Sequence, residues 1–161
     1  MRFEAGRSEQ VDASVEAADV VRGVVLEYFR CVNEEDWAGL SRLWAADAEL
    51  VGVGGRPRHG VDDIVTGYKK FFARWATHHD EPTRILVSGA TVTVEVSFAG
   101  STADDKAVTF EAVDVIDIDE RGSIRRLTNW YDSDRVRSQL GGAPSFSARA
   151  KKMKGDQDEH V

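Results

Sequence analysis

Two residues in this chain stand where packing alone would favour something simpler. Tyr28, in the stretch EYFRCVNEEDW (27–37), falls on the apolar side of a helix-patterned segment, where a leucine would pack with no hydroxyl to satisfy. Asp114, in AVTFEAVDVIDID, shares its alternating face with Phe110, Ala112, Ile116 and Ile118 and is the only charge on it. A buried carboxylic acid is disfavoured as an anion, so its pKa rises and it can stay protonated and donate a hydrogen bond. A buried tyrosine hydroxyl is a donor as well. Together the two would stabilise negative charge developing on a bound carbonyl or enol oxygen.

A proton must also move, and His78 and His79 in THHDE are candidates for that acid or base. Adjacent residues at a helix end point apart, so at most one of them is expected to reach a site shared with Tyr28. No helical i, i+4 histidine pair or second ligand group accompanies them, and no metal is expected there. SIRRLTNWYD holds Leu127, Asn129 and Tyr131 on one face and Arg126, Thr128, Trp130 and Asp132 on the other; alternation leaves open which face looks inward. Plainer roles stand beside the chemical ones. Tyr28 could be a core aromatic with its hydroxyl at a wet edge, Asp114 could pair with an arginine, and Asn129 could cap a backbone group.

The elements that must position these groups follow from periodicity. Val20, Val21, Val24, Val25, Tyr28, Phe29 and Val32 recur at helical spacing between Val15 and Val32, which predicts a long helix ended by Asn33 and the acidic pair after it. DWAGLSRLWAAD puts Trp37, Leu40, Leu43 and Trp44 on one helical face, and a strand-like AELVGVGG follows. RHGVDDIVTGYKKFFARW predicts a third helix with Val61, Ile64, Val65, Tyr68, Phe71, Phe72 and Trp75 as its apolar side. After Pro82 the period falls to about two, and 84–88, 91–98, 107–118 and 123–131 read as strands separated by SGA, GSTADDK and DERGS. In TVTVEVSF the apolar set is Val92, Val94, Val96 and Phe98, which turns Glu95 outward, to solvent or to a subunit contact. Helices followed by a meander of antiparallel strands imply an α+β fold with a curved sheet wrapped on the helices.

Composition narrows the function classes. A chain of 161 residues with 42% apolar content builds one domain with a real core, expected at 14–140 between a flexible N-terminus (1–13) and a frayed tail (141–161). The net charge of −7 would repel a phosphate backbone, so nucleic acid is not an expected partner. No apolar run reaches the roughly 18 residues of a membrane span, and MRFEAGRSEQVDAS lacks the plan of a signal peptide; a cytoplasmic location is expected. The single cysteine, Cys31, excludes an internal disulfide or a thiolate cluster and reads as core filling.

The stretches VVLEYFRCVNEEDW, LSRLWAADAEL, RHGVDDIVTGY and GSIRRLTNWYDSDRVRSQLG resemble the nuclear transport factor 2-like superfamily, and within it the SnoaL-like polyketide cyclases and ketosteroid isomerases. The resemblance covers about residues 14–141. It implies a cone in which three helices close a bent sheet around a deep pocket, usually in a homodimer formed through the outer sheet face. The isomerases' oxyanion tyrosine falls on Tyr28 and their protonated aspartate on Asp114. Their base carboxylate falls near Gly52, where no carboxylate stands, and the acid/base aspartate of the cyclases falls on Asn129. An inward arginine and aspartate of the related limonene epoxide hydrolases fall among Val94 to Val96. These departures speak against steroid isomerisation and epoxide hydrolysis by their usual routes. YFRC and a histidine after the third helix are also similar to the scytalone and bile-acid dehydratases, in which case His78 or His79 would be the base.

The leading expectation is therefore an enzyme with no metal or organic cofactor that binds a small, mostly apolar, oxygenated molecule. Tyr28 and Asp114 would face the oxygen, a histidine would move the proton, and Asn129 and Tyr131 would orient the substrate. Leu127, Trp44, Val94, Phe98 and Tyr68 complete the expected lining. The alternatives are a non-catalytic carrier in the same cone, a dehydratase, and an epoxide-opening enzyme in which Asp114 activates the epoxide oxygen.

Overall fold

The computed structural model describes residues 5–142, and the expected tail from 143 onward lies outside the described residues. Helix α1 (Ala5–Asn33) extends ten residues ahead of the apolar pattern, through much of the segment expected as a flexible N-terminus. Its C-terminal half buries Val25, Tyr28, Phe29 and Val32 of the predicted stripe, with Cys31 beside them, whereas Val20, expected on that stripe, is 62% exposed because nothing among the described residues packs over the helix there. Glu35 turns the chain with φ 53°, and Asp36 then caps α2 (Trp37–Leu43) by accepting the Gly39 N–H at 2.8 Å.

Trp44, expected on the second helix, instead opens strand β1 (Trp44–Val51) with extended backbone. The reason is pairing: Trp44 lies opposite Ile124, and Trp44 and Ala48 are both buried in the core. A two-residue strand β2 (Arg58–His59) pairs antiparallel with β1, and α3 (Val61–Phe72) follows directly.

The largest departure from the sequence reading lies next. The third helix stops at Phe72, and Trp75 begins a 14-residue strand β3 (Trp75–Ser88) that includes both histidines and Pro82. It is held along its length by β4 (Thr91–Thr102), with Trp75 opposite Thr102 and Ser88 opposite Thr91. Proline lacks an N–H to donate, yet it is tolerated because β3 is an edge strand with a register shift between Pro82 and Arg84.

Strands β5 (Ala107–Ile118) and β6 (Ile124–Tyr131) complete one six-stranded sheet in the order β2-β1-β6-β5-β4-β3, antiparallel except where β1 runs parallel to β6. The sheet curves without closing, and α1, α2 and α3 pack against its concave face, so the fold is the α+β cone. A short helix α4 (Ser133–Gln139), capped by Asp132, closes the described chain against β5. The core runs from Val25 and Leu40 through Val92, Val94 and Phe98 to Ile116, Ile124 and Leu127. No described helix is long and apolar enough to cross a membrane.

Candidate functional site

A cavity of about 270 Å³ opens between α1, α3 and the concave sheet face. Its wall is mostly aromatic and aliphatic, with Phe29, Phe71, Val96, Phe98 and Phe110 among the contributors. Polar groups from both helices and from several strands project into this wall.

From α1 comes Tyr28 and from α3 comes Tyr68, whose hydroxyls share a hydrogen bond of 2.7 Å. Both rings line the cavity, edge to face with each other at 6.3 Å. Burial pushes both phenols well above the ordinary tyrosine range, so both remain proton donors at any physiological pH.

From β5 comes Asp114, only 4% exposed, the one buried charged residue among those described. Asn129, directly opposite it on β6, donates from Nδ2 to Asp114 Oδ1 at 2.5 Å. No lysine or arginine forms an ion pair with Asp114 among the described residues, so the arginine pairing is not what keeps it inside. Burial raises its pKa to about 6, and the Asn129 hydrogen bond, which favours the anion, holds it from rising further.

From β3 comes Asp80, a residue the sequence reading passed over. It lines the same cavity, and its Oδ2 is buried with no hydrogen-bond partner among the described residues. Its pKa is pushed up to about 7, first by burial and then by the charge of Asp114, with His79 acting weakly in the opposite direction. A neighbouring carboxylate of like charge favours the protonated form of Asp80. The backbone at Asp80 is fixed by Asn33, the last residue of α1: the Asp80 N–H donates to Asn33 Oδ1 at 2.7 Å, and Asn33 Nδ2 donates to the Asp80 carbonyl at 2.9 Å.

The expected site residues divide accordingly. Tyr28, Asp114, Asn129, Tyr131, Leu127, Phe98 and Tyr68 line the cavity together, which also shows that the Leu127, Asn129, Tyr131 face of β6 looks inward. His78 and His79 do not line it. On a strand rather than a helix end, neighbours alternate: His79 is 58% exposed beside Glu81, while the His78 side chain is 5% exposed, its ring tilted against Phe72 with centres 4.1 Å apart and Nε2 3.2 Å from Glu35. Trp44 and Val94 are also outside the lining. Trp44 packs behind Tyr28 and Tyr68, and Val94 is fully buried in the register position opposite Asp114.

The signal for Asp80 was present but interrupted. Ile85 and Val87 face in, and the register shift after Pro82 brings Pro82, Asp80 and His78 to the same side. Gly52, where a base carboxylate was missing, does line the cavity, and Asp80 brings a carboxyl to it from the opposite edge of the sheet. Arg56 of the β1–β2 loop and Arg58 of β2 add two cations to the lining.

Residues 25–127 match the family model described as the SnoaL-like domain. A hypothetical protein with a ketosteroid isomerase-like fold from Catenulispora acidiphila, in complex with trimethylamine, superposes with a TM-score of 0.69 at 19% identity, over 75% of this chain and 94% of its own. An LEH-like epoxide hydrolase from M. tuberculosis does so at 0.66 and 21% identity, over 78% and 91%. A SnoaL-like polyketide cyclase from Shewanella denitrificans, so assigned provisionally, gives 0.68 at 13% identity, over 76% and 97%. No curated protein matches by sequence. The likenesses at these identities speak for the cone, and the family match spans the stretch from the buried half of α1 to Leu127 on β6, Tyr28, Asp80 and Asp114 included: the chain belongs to the SnoaL-like domain family.

Proposed function

We propose that the protein is an acid–base enzyme of the cyclase or isomerase type, acting on a small, mostly apolar, oxygenated molecule in the cone, as in natural-product biosynthesis. The observation that carries this reading is that two carboxyls, Asp80 and Asp114, line one mostly apolar cavity with no ion pair to either among the described residues, where burial pushes both upward, to about 7 and about 6. A general acid and a general base work best when their pKa values lie near the operating pH.

The asymmetry of the pair assigns the roles. Asp114 accepts the Asn129 N–H and is the member more readily ionised, so it is the base that takes a proton from carbon beside the substrate carbonyl. Asp80 Oδ2 has no such donor and its pKa is pushed higher, so Asp80 carries the proton that is delivered at the second position or to the substrate oxygen. Tyr28, with its hydroxyl tied to Tyr68, faces the developing enolate oxygen. The proton lost from substrate thus ends on Asp114 and the proton gained comes from Asp80; exchange with solvent restores the pair. The proton-transfer role expected of a histidine passes to Asp114 and Asp80, because neither histidine lines the cavity, and Asp114, expected as a donor to the substrate oxygen, is read here as the base.

A second reading has its own support. A proton-bearing Asp80 with Asp114 as base is also suited to epoxide opening, the acid protonating the epoxide oxygen while the base activates a hydroxyl of the same substrate, and one similar structure is an epoxide hydrolase. The protein acts as a homodimer through the outer sheet face, where Trp130, 60% exposed, lies beside exposed Val113.

The test is native mass spectrometry with chromatography after incubation with a panel of polyketide, steroid and terpenoid ketones and epoxides. A product formed by the wild type and not by Asp114→Asn supports the enzyme; a rearranged ketone favours isomerisation and a ring ether favours epoxide opening. Ligands retained by both proteins and recovered unchanged would make it a carrier instead.

A further inference from the structure

Arg58 is held in the cavity wall in a way that its own stability does not require. Its Nη1 donates to Asp63 Oδ1 at 3.0 Å and to the Asp63 carbonyl at 3.3 Å. Its side chain lies across Gly67, in the middle of α3, so closely that a Cβ there would collide with Nε, Cζ and Cδ of the arginine. Glycine in a helix interior is less favourable than alanine, because it gives up more backbone freedom on folding. Gly67 therefore trades helix stability for room, and the room is occupied by a guanidinium that lines the cavity.

The charge around it does not balance. Arg56 takes Asp63 with two hydrogen bonds, at 3.0 and 2.9 Å, so Arg58 shares a carboxylate already engaged. The neighbouring acids are committed or turned away: Glu49 pairs with Arg126 at 3.1 Å, and Asp62 is exposed with no ion pair among the described residues. Two arginines against one carboxylate leave one positive charge at the rim of an apolar cavity, in a protein whose net charge is −7. Nε and Nη2 of Arg58 donate to no group among the described residues, although its side chain is only 30% exposed.

A planar guanidinium with uncommitted N–H groups matches a carboxylate, which it binds through parallel hydrogen bonds. The position in the sheet sets the distance. Arg58 lies on β2 and Asp114 on β5, three strands away in the sheet order, which is about 14 Å of sheet at ordinary strand spacing, less the inward reach of the arginine. We propose that Arg58, steadied by Asp63 and Gly67, is the subsite for a single carboxylate at the end of the substrate remote from its reacting oxygen. The substrate class is then apolar oxygenated acids rather than neutral ketones. This inference rests on the reading of the cavity as the reaction site.

The experiment is a chemical-shift titration of the full chain, by two-dimensional NMR, with 4-(2-naphthyl)butanoate, its primary amide and 2-naphthyl phosphate. Wild type, Arg58→Met and Gly67→Ala are compared. The expected result is that wild type binds the carboxylate at least about tenfold more tightly than the amide, with shifts at the cavity residues. Arg58→Met abolishes that preference and leaves amide affinity unchanged. Gly67→Ala, which favours the helix but displaces the guanidinium, reduces it. Equal affinity for acid and amide, both perturbing cavity residues, would overturn the carboxylate subsite and leave the cavity reading standing. A preference that survives in both variants overturns it too, and tighter binding of the phosphate reassigns the subsite to a phosphoryl group. Failure of every probe to perturb the cavity residues would overturn both readings.

Discussion

Two acidic clusters in this protein use the same residue types to opposite ends. At the end of α1, Glu27, Glu34 and Asp36 surround Arg30 at 2.6, 2.6 and 2.9 Å, partly exposed, and Asp36 also caps α2. Hydrogen bonds from Arg30 hold the Glu27 and Asp36 carboxyls below their ordinary pKa, so these acids are anions at every working pH. Inside the cone, Asp80 and Asp114 form no ion pair among the described residues, and their withdrawal from water pushes both upward. The first cluster pins a turn and has no proton to exchange near neutrality. The second is costly to keep and can exchange one, which is why the proposed chemistry is placed there.

The sharpest way to break the comparison is to neutralise one member of each cluster. Asp114→Asn should lower turnover by about a hundred- to ten-thousand-fold, while Glu27→Gln should leave it within assay error. Comparable losses in the two variants would remove the distinction.

The pH dependence of stability sharpens it further, because the two clusters act with opposite sign. The raised carboxyls contribute stability that is complete below about pH 4 and lost as pH rises through about 6 to 7. The lowered ones contribute stability present above their unfolded pKa and lost as pH falls through the folded one. Asp80→Asn should therefore flatten the decline between pH 5 and pH 8, by up to roughly 3 kcal/mol. Urea titrations of both proteins at the two pH values read this directly; parallel declines would show that Asp80 is not paying an ionisation cost.

Smaller effects attach to the hydroxyl pair. Tyr28→Phe leaves the Tyr68 hydroxyl buried without its partner and should cost about 1–3 kcal/mol. The double variant Tyr28→Phe/Tyr68→Phe should recover most of that, since both polar groups are then gone; a double loss equal to the sum of the single ones counts against the bond. Smallest of all, Arg30→Met should lower the melting temperature slightly in dilute buffer, and 1 M salt should erase the difference because the pairs it removes are partly exposed.

Legibility in the sequence followed the range of the interaction responsible. Tyr28 and Asp114 were found by local spacing, because a helix stripe and a strand face repeat over neighbouring residues whatever the rest of the chain does. Asp80 was hidden by Pro82 and by the adjacency of two histidines, both of which suggested a helix end. The register shift that returns Asp80 to the inward side depends on β4, which follows it in the chain. Arg58 carried no pattern, since β2 has only two residues and its meaning lies in Gly67 on another element.

The sequence by itself determined the α+β order, the buried stripe of α1, the inward faces of β4 and β5, and two of the polar groups in the cone, because each rests on periodicity within one element. Tertiary structure alone decided which strand edge supplied the second carboxyl, that both histidines are excluded, that the Asn129 face of β6 looks inward, and that an arginine waits at the rim. Each of these is a relation between elements distant in sequence: the β3–β4 ladder, the Asn33 clamp on Asp80, the Asp114–Asn129 register pair and the glycine under Arg58.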